Sequence, residues 1–153
     1  MAENRTALII ARNRLLKIWF IGSALPIVVL IVQTILGTKY EGIEEQVWGW
    51  FSPLIFPTIT LMLGVIGAGA LTPGESADKT VNNFFLKITT WVSIIYLFIV
   101  ALVILLEPMS AQPSIKVFTK SNLFITPVQG LATAALGFLF STTRTEPKKE
   151  QLG

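Results

Sequence analysis

The sequence predicts an all-α polytopic membrane protein with four transmembrane helices, and three observations carry that expectation. Leu15–Leu36, Phe51–Leu71, Phe84–Leu106 and Leu123–Phe140 form apolar runs of 22, 21, 23 and 18 residues. Each is close to the roughly 20 residues that cross a hydrocarbon layer about 30 Å thick at 1.5 Å per residue. Composition agrees: 52% of the 153 residues are hydrophobic and 14% charged, against roughly a quarter charged in soluble domains. Lys and Arg also fall unevenly on alternate sides of the runs, as translocation rules require.

Within the runs the only charges are Lys17 and Lys87, each within four residues of a run's start, where a long side chain reaches the headgroups. Arg5, Arg12, Arg14, Lys17, Lys79, Lys87, Arg144, Lys148 and Lys149 lie on one side, and Lys39, Lys116 and Lys120 on the other. This split of nine to three places both ends in the cytoplasm of a plasma (inner) membrane protein. The chain thus divides into a basic N-terminal segment (1–14), a four-helix transmembrane domain (15–142) and a polar cytoplasmic tail (143–153). The first run is too long for the h-region of a signal peptide, about 7 to 15 residues, and is expected to remain in the chain.

Each connection has its own pattern. In YEGIEEQVWGWF, Ile43, Val47 and Trp50 recur at helical spacing opposite Glu44 and Glu45, which predicts a short interfacial helix with Trp48 and Trp50 as aromatic-belt anchors. EPMSAQPSIKVFTKSN carries Pro108 and Pro113 without a sustained period and is read as irregular. TPGESADKTVNN is read as a turn, with Asp78 as the cap of the third helix.

Sliding the sequence by 70 residues aligns Lys17 with Lys87, Pro57 with Pro127 and Gly67 with Gly137, among eleven identities over the 58 pairs from residue 15 to 72. The Lys, Pro and Gly matches repeat an interfacial charge, a kink and a close-contact point at equivalent depths. A duplicated two-helix hairpin is one reading and shared membrane composition the other.

Small residues gather in the second and fourth runs: Gly64, Gly67 and Ala68, then Gly130, Ala134 and Gly137. Such faces let helix backbones approach in lipid, within one chain or between chains. Pro26, Pro57 and Pro127 are expected to kink their helices, each leaving the carbonyl four residues earlier without its donor, those of Gly22, Pro53 and Leu123. Pro53 is read as a first-turn proline. Gln33, Gln129 and Thr133 are polar at depth and are candidates to line a hydrated path, with plain helix contact the simpler reading. Arg5, Arg12, Arg14, Lys17 and Lys87 are expected at anionic lipid headgroups. Glu41, Glu44, Glu45 and Glu107 are read as solvated loop carboxylates, and the runs themselves hold no buried carboxylate of the sort that couples protons to transport.

With no His and no Cys, the sequence offers no thiol, imidazole, zinc or iron–sulfur chemistry, and no catalytic, cofactor or metal residues are assigned. A net charge of +3, scattered along the chain, does not make a nucleic-acid footprint. The functional expectation is a non-enzymatic, self-associating membrane protein. Its leading specific form is a homo-oligomeric ion-permeable pore or channel, because one four-helix bundle fills its own interior. The alternative is a structural or accessory subunit that binds a membrane or cytoplasmic protein partner.

Overall fold

The computed structural model describes residues 5–71 and 80–141; Asp78 and the tail from 143 lie outside them, as does the side chain of Arg5. The element order is β1 (Arg5–Ala7), α1 (Leu8–Leu36), α2 (Glu44–Leu71), β2 (Thr80–Asn82), α3 (Asn83–Leu106), a 3-10 turn (Glu107–Met109) and α4 (Ser114–Ser141). All four α-helices are long and apolar enough to cross a membrane.

Each apolar run lies inside a helix, and every helix is longer than its run. Apolar length marks where charge is absent, whereas the helix continues for as long as one face stays buried. At the start of α4, Ser114, Phe118, Ser121 and Ile125 are buried at i, i+4, i+7 and i+11, so 114–122, read as irregular, is an amphipathic extension. Pro113 starts it: its fixed φ suits a helix entry, and its carbonyl accepts from the N–H groups of Lys116 (2.9 Å) and Val117 (3.3 Å). The segment read as a separate interfacial helix is likewise the first turns of α2, with Val47 buried on the predicted face. Pro53 therefore sits well inside α2 and not in its first turn. Gly42 takes a φ of +81°, which lets the chain reverse just before α2 at no steric cost. The cap of α3 is Asn82, whose side chain accepts from the Phe84 N–H at 2.8 Å.

In cross-section α1 packs on α3, α3 on α4, α4 on α2 and α2 on α1, leaving α2 and α3 across a diagonal. A short antiparallel ladder, with Thr6 opposite Val81, ties the start of α1 to the start of α3, so these two helices run in the same direction. The Thr6 hydroxyl also donates to Asn83 Oδ1. The molecule thus has a ladder end and, opposite it, a loop end holding the two tight connections. The C-terminal ends of α1 and α3 fall 70 residues apart, though their starts do not, and both ends of α2 and α4 share that offset. Equivalent helices nevertheless lie side by side, where a two-fold axis along the bundle would set them on the diagonal.

The core runs along the bundle axis through Trp19, Leu30, Phe51, Met62, Tyr96, Ile125 and Leu136. Gly22 packs directly against α3: a Cβ there would lie 2.8 Å from Leu97 Cδ1. The outward faces are dense in apolar side chains such as Ile21, Leu36, Trp91 and Leu123.

Arg12, expected at lipid headgroups, is instead buried. Its Nε donates to the Leu139 carbonyl at 3.1 Å and its Nη2 to that of Phe140 at 3.4 Å, with the guanidinium 5.6 Å from the Phe140 ring centroid. These are last-turn carbonyls of α4, which have no intrahelical donor, at the negative end of the helix dipole. Replacing Arg12 with Leu should lower stability by about 2 kcal/mol, because a charge-assisted bond to each carbonyl is lost, and Arg12→Lys should recover part of it. Detergent-denaturation midpoints of the three proteins in mild micelles measure this; equal midpoints would mean that the guanidinium does not stabilise the end of α4.

Candidate functional site

Besides the Arg12 contact, two polar sites interrupt the apolar bundle among the described residues, and each arises from a group that its own helix cannot satisfy. The first surrounds Pro57. A proline has no N–H, so the carbonyl four residues earlier, that of Pro53, loses its donor. Gln129 Nε2 of α4 donates to this carbonyl at 3.2 Å. One residue on, the Leu54 carbonyl accepts from the buried Tyr96 hydroxyl of α3 at 2.9 Å. Tyr96 crosses the diagonal to do so, resting against Trp19 with ring centroids 5.6 Å apart. Three helices are therefore joined at one proline, and Gln129, a candidate pore-lining residue, spends its amide on a helix contact. The indole N–H of Trp19 and the hydroxyls of Ser93 and Thr90 are buried in the same interior without partners.

The second site lies at the loop end. Glu107, read as a solvated carboxylate, is 1% exposed. It follows the last residue of α3, and a 3-10 turn closed by the Ser110 N–H on its carbonyl (3.0 Å) turns its side chain into the bundle. Glu107 Oε2 meets Lys39 Nζ at 2.8 Å and accepts from the Tyr40 hydroxyl at 3.1 Å. Tyr40 is itself fully buried against Phe118, and its phenolic oxygen lies 2.7 Å from Gln33 Oε1. Burial raises the Tyr40 pKa, and the charge of Glu107 and the hydrogen bond to it raise it further. The phenol therefore keeps its proton at neutral pH and acts as a donor. One proton cannot serve two acceptors, so the consistent network has the Gln33 amide turned to donate to the phenol, which donates to Glu107. Gln33, another pore-lining candidate, is thus part of this network. Glu107 Oε1 is buried without a partner.

The remaining sequence candidates fall on the outside or between helices. Trp48 Nε1 donates to Thr34 Oγ1 at 3.2 Å, and Trp50 Nε1 to Asn122 Oδ1 at 2.9 Å while its ring stacks on Phe118 at 4.4 Å. The two indoles tie α2 to α1 and to α4. Gly64, Ala68, Gly130, Thr133 and Ala134 are exposed. A Cβ built at Gly64, Gly67, Gly130 or Gly137 meets nothing within 4 Å, so these glycines close no helix contact among the described residues. The glycine that does so, Gly22, belongs to no small-xxx-small motif; its signal in the sequence is its place next to Ser23, in the small pair that α1 turns toward α3. Pro26 is buried, Pro57 and Pro127 are exposed, and Arg14, Lys17 and Lys87 are exposed near the ladder end.

No protein family, curated protein or solved structure matches this chain. Its function is read from the geometry.

Two tests separate these contacts from mere proximity. Gln129→Leu should cost about 1 kcal/mol, the usual scale of a polar contact between membrane helices. In a Pro57→Ala background it should cost close to nothing, because the restored N–H serves the Pro53 carbonyl. A double-mutant cycle of denaturation midpoints reads the difference. At the loop end, Lys39→Met should destabilise by about 1 to 3 kcal/mol, less than for a fully buried pair because Lys39 is partly exposed, whereas Lys39→Met combined with Glu107→Leu should recover most of the loss. A double variant no more stable than the single one would remove the uncompensated charge as the cause.

Proposed function

We propose that this chain is a non-enzymatic multi-pass protein of the plasma (inner) membrane that works as a homo-oligomer, with the α2–α4 side as the contact between copies and an ion-permeable pore as the product of assembly. The observation that carries the reading is the outward small-residue face. Gly64, Gly67, Gly130 and Gly137 have open space where a side chain would be, on two helices that pack against each other. In hydrocarbon, backbone approach at such faces is a main source of helix association. Thr133 and Gly130 are exposed on this side and would border a path between copies, since the interior of a single bundle is filled by residues such as Trp19, Phe51 and Tyr96.

The distribution of Lys and Arg and the apolar exterior support membrane insertion with both ends cytoplasmic. The ladder end then faces the cytoplasm, where exposed Arg14, Lys17 and Lys87 meet anionic lipid. The 70-residue offset shared by the C-terminal ends of α1 and α3 and by both ends of α2 and α4 supports descent from a duplicated hairpin.

One observation favours the accessory-subunit reading. Gln33 and Gln129, the amides suited to line a pore, are engaged within the chain, which leaves the small-residue face available for a different membrane protein. Both readings are tested together by oligomeric mass in mild detergent and ion flux in liposomes, for the wild type and for Gly64→Leu and Gly130→Leu. Because a Cβ at either glycine meets nothing in the chain, the variants should fold normally. The pore reading expects a stable oligomer that conducts, and variants that dissociate and lose at least ten-fold in flux. A wild-type monomer without flux that co-purifies with another membrane protein supports the accessory role and overturns self-association, and an oligomer without flux overturns the pore.

A further inference from the structure

We infer that the groove between α1 and α3 holds one anionic glycerophospholipid, with its phosphate between Arg14 and Lys87 at the ladder end and an acyl chain running along the two helices toward the loop end. The inference rests on the membrane reading above, in which the ladder end lies at the headgroups, but not on assembly of copies or on conduction.

The groove has two parts. At the ladder end is an open hollow of 240 Å³ whose lining includes Thr6, Arg14, Asn83, Lys87, Trp91 and Ile94. Beyond it lies a second hollow of 280 Å³, lined by Gly22 and apolar side chains alone, among them Ile18, Ile21, Leu25, Ile94 and Phe98. Ile94 belongs to both, so the two are continuous. Arg14, Ile18, Ile21 and Leu25 stand at i, i+4, i+7 and i+11 on α1, and Lys87, Trp91, Ile94 and Phe98 repeat that spacing on α3. Each helix thus turns one stripe to the groove, charged at its first position and apolar along the rest. Eleven residues of helix advance about 16 Å, close to one leaflet of a hydrocarbon layer about 30 Å thick.

Charge selects the occupant. Among the described residues neither Arg14 nor Lys87 has an ion pair or hydrogen bond, and no acidic side chain lines the hollow. The Asn83 Oδ1 accepts from the Thr6 hydroxyl, which leaves the amide N–H groups of Asn83 for another acceptor. Two cations and an amide donor therefore converge from two helices without a counter-anion. A phosphate supplies both the charge and the acceptor oxygens, whereas a zwitterionic headgroup would bring a third cation to two that are already unpaired. The exposed indole of Trp91 sits at the junction of the charged and apolar parts, where aromatic side chains meet the boundary between headgroups and hydrocarbon. Lys17 is one turn from Arg14 on α1 but lines neither hollow, so the site is narrower than a general attraction of the basic end for anionic lipid.

The test uses the full chain, freed of lipid in mild detergent, with dioleoyl phosphatidylglycerol as the probe and native mass spectrometry as the readout. One copy per chain should bind saturably, about ten-fold tighter than phosphatidylcholine with the same acyl chains. Arg14→Gln and Lys87→Gln should each weaken binding about five-fold, the scale of one basic group beside an anionic headgroup, whereas Lys17→Gln should change it by less than about two-fold. Ile94→Trp, at the junction of the two hollows, should weaken it with every charge in place. Phosphatidylglycerol bound no tighter than phosphatidylcholine would overturn the proposal, as would an equal loss in Lys17→Gln, the mark of a diffuse attraction. Displacement of the lipid by an equal concentration of glycerol 3-phosphate would overturn the role of the apolar groove. The comparison of the two lipids on the wild-type chain decides the matter even if a variant fails to fold. A chain that stays dispersed in buffer without any amphiphile would instead overturn the membrane reading itself.

Discussion

A helix surrounded by apolar groups has no water to bond the carbonyl that a proline leaves open, and the arrangement of this bundle follows from how that carbonyl is served. Pro57 lies in the middle of α2. Its vacated acceptor is met by an amide from α4, and the neighbouring carbonyl by a phenol that spans the bundle from α3. A polar contact between helices in apolar surroundings is worth about 1 kcal/mol, and because both contacts converge on one turn of α2 they set the level at which α3 and α4 meet it. The terminal carbonyls of α4 pose the same problem and have the same type of answer, a side chain from another helix, here the guanidinium of Arg12.

The loop end is organised by charge. Glu107 is enclosed at the end of α3, and a buried carboxylate is tolerable only with a counter-charge and donors in place. Lys39 and Tyr40 belong to the connection between α1 and α2, so the ion pair and the phenol hold that connection onto the end of α3. Phe118 backs the cluster from α4, against Tyr40 on one side and Trp50 on the other. The two connections and the extra turns of α2 and α4 therefore form one unit.

The number and positions of the four helices are legible in the sequence because an uncharged run of about 20 residues matches the thickness of a bilayer and exceeds what a small soluble core can enclose. The C-terminal ends are legible too, falling within one residue of the ends of the runs, but the starts of α1, α2 and α4 are not, because the additional turns at Leu8, Glu44 and Ser114 are amphipathic, and their buried faces appear only once neighbouring helices supply a surface. The loss of a donor at the Pro53 carbonyl follows from spacing alone; that Gln129 replaces it depends on α2 and α4 being adjacent, which no local pattern states. Glu107 has the local signature of a solvated residue, since it stands beside Pro108 in a polar stretch. The signal for its burial is long-range: α1 and α3 run in the same direction, so Lys39 and Tyr40 after one and Glu107 after the other must come together. The small-residue faces are recognisable in the sequence as contact surfaces, but that they point away from the bundle depends on which helix faces the core claims.

Arg12 and its acceptors stand 127 and 128 positions apart in the chain. A ribosome that has just completed the first helix has not yet made the carbonyls this guanidinium will bind. Until those carbonyls exist, this charged group must find its hydrogen bonds elsewhere. The contact can form only once the last turn of the last helix is made, so a residue that enters the chain among the first is among the last to take its place in the bundle.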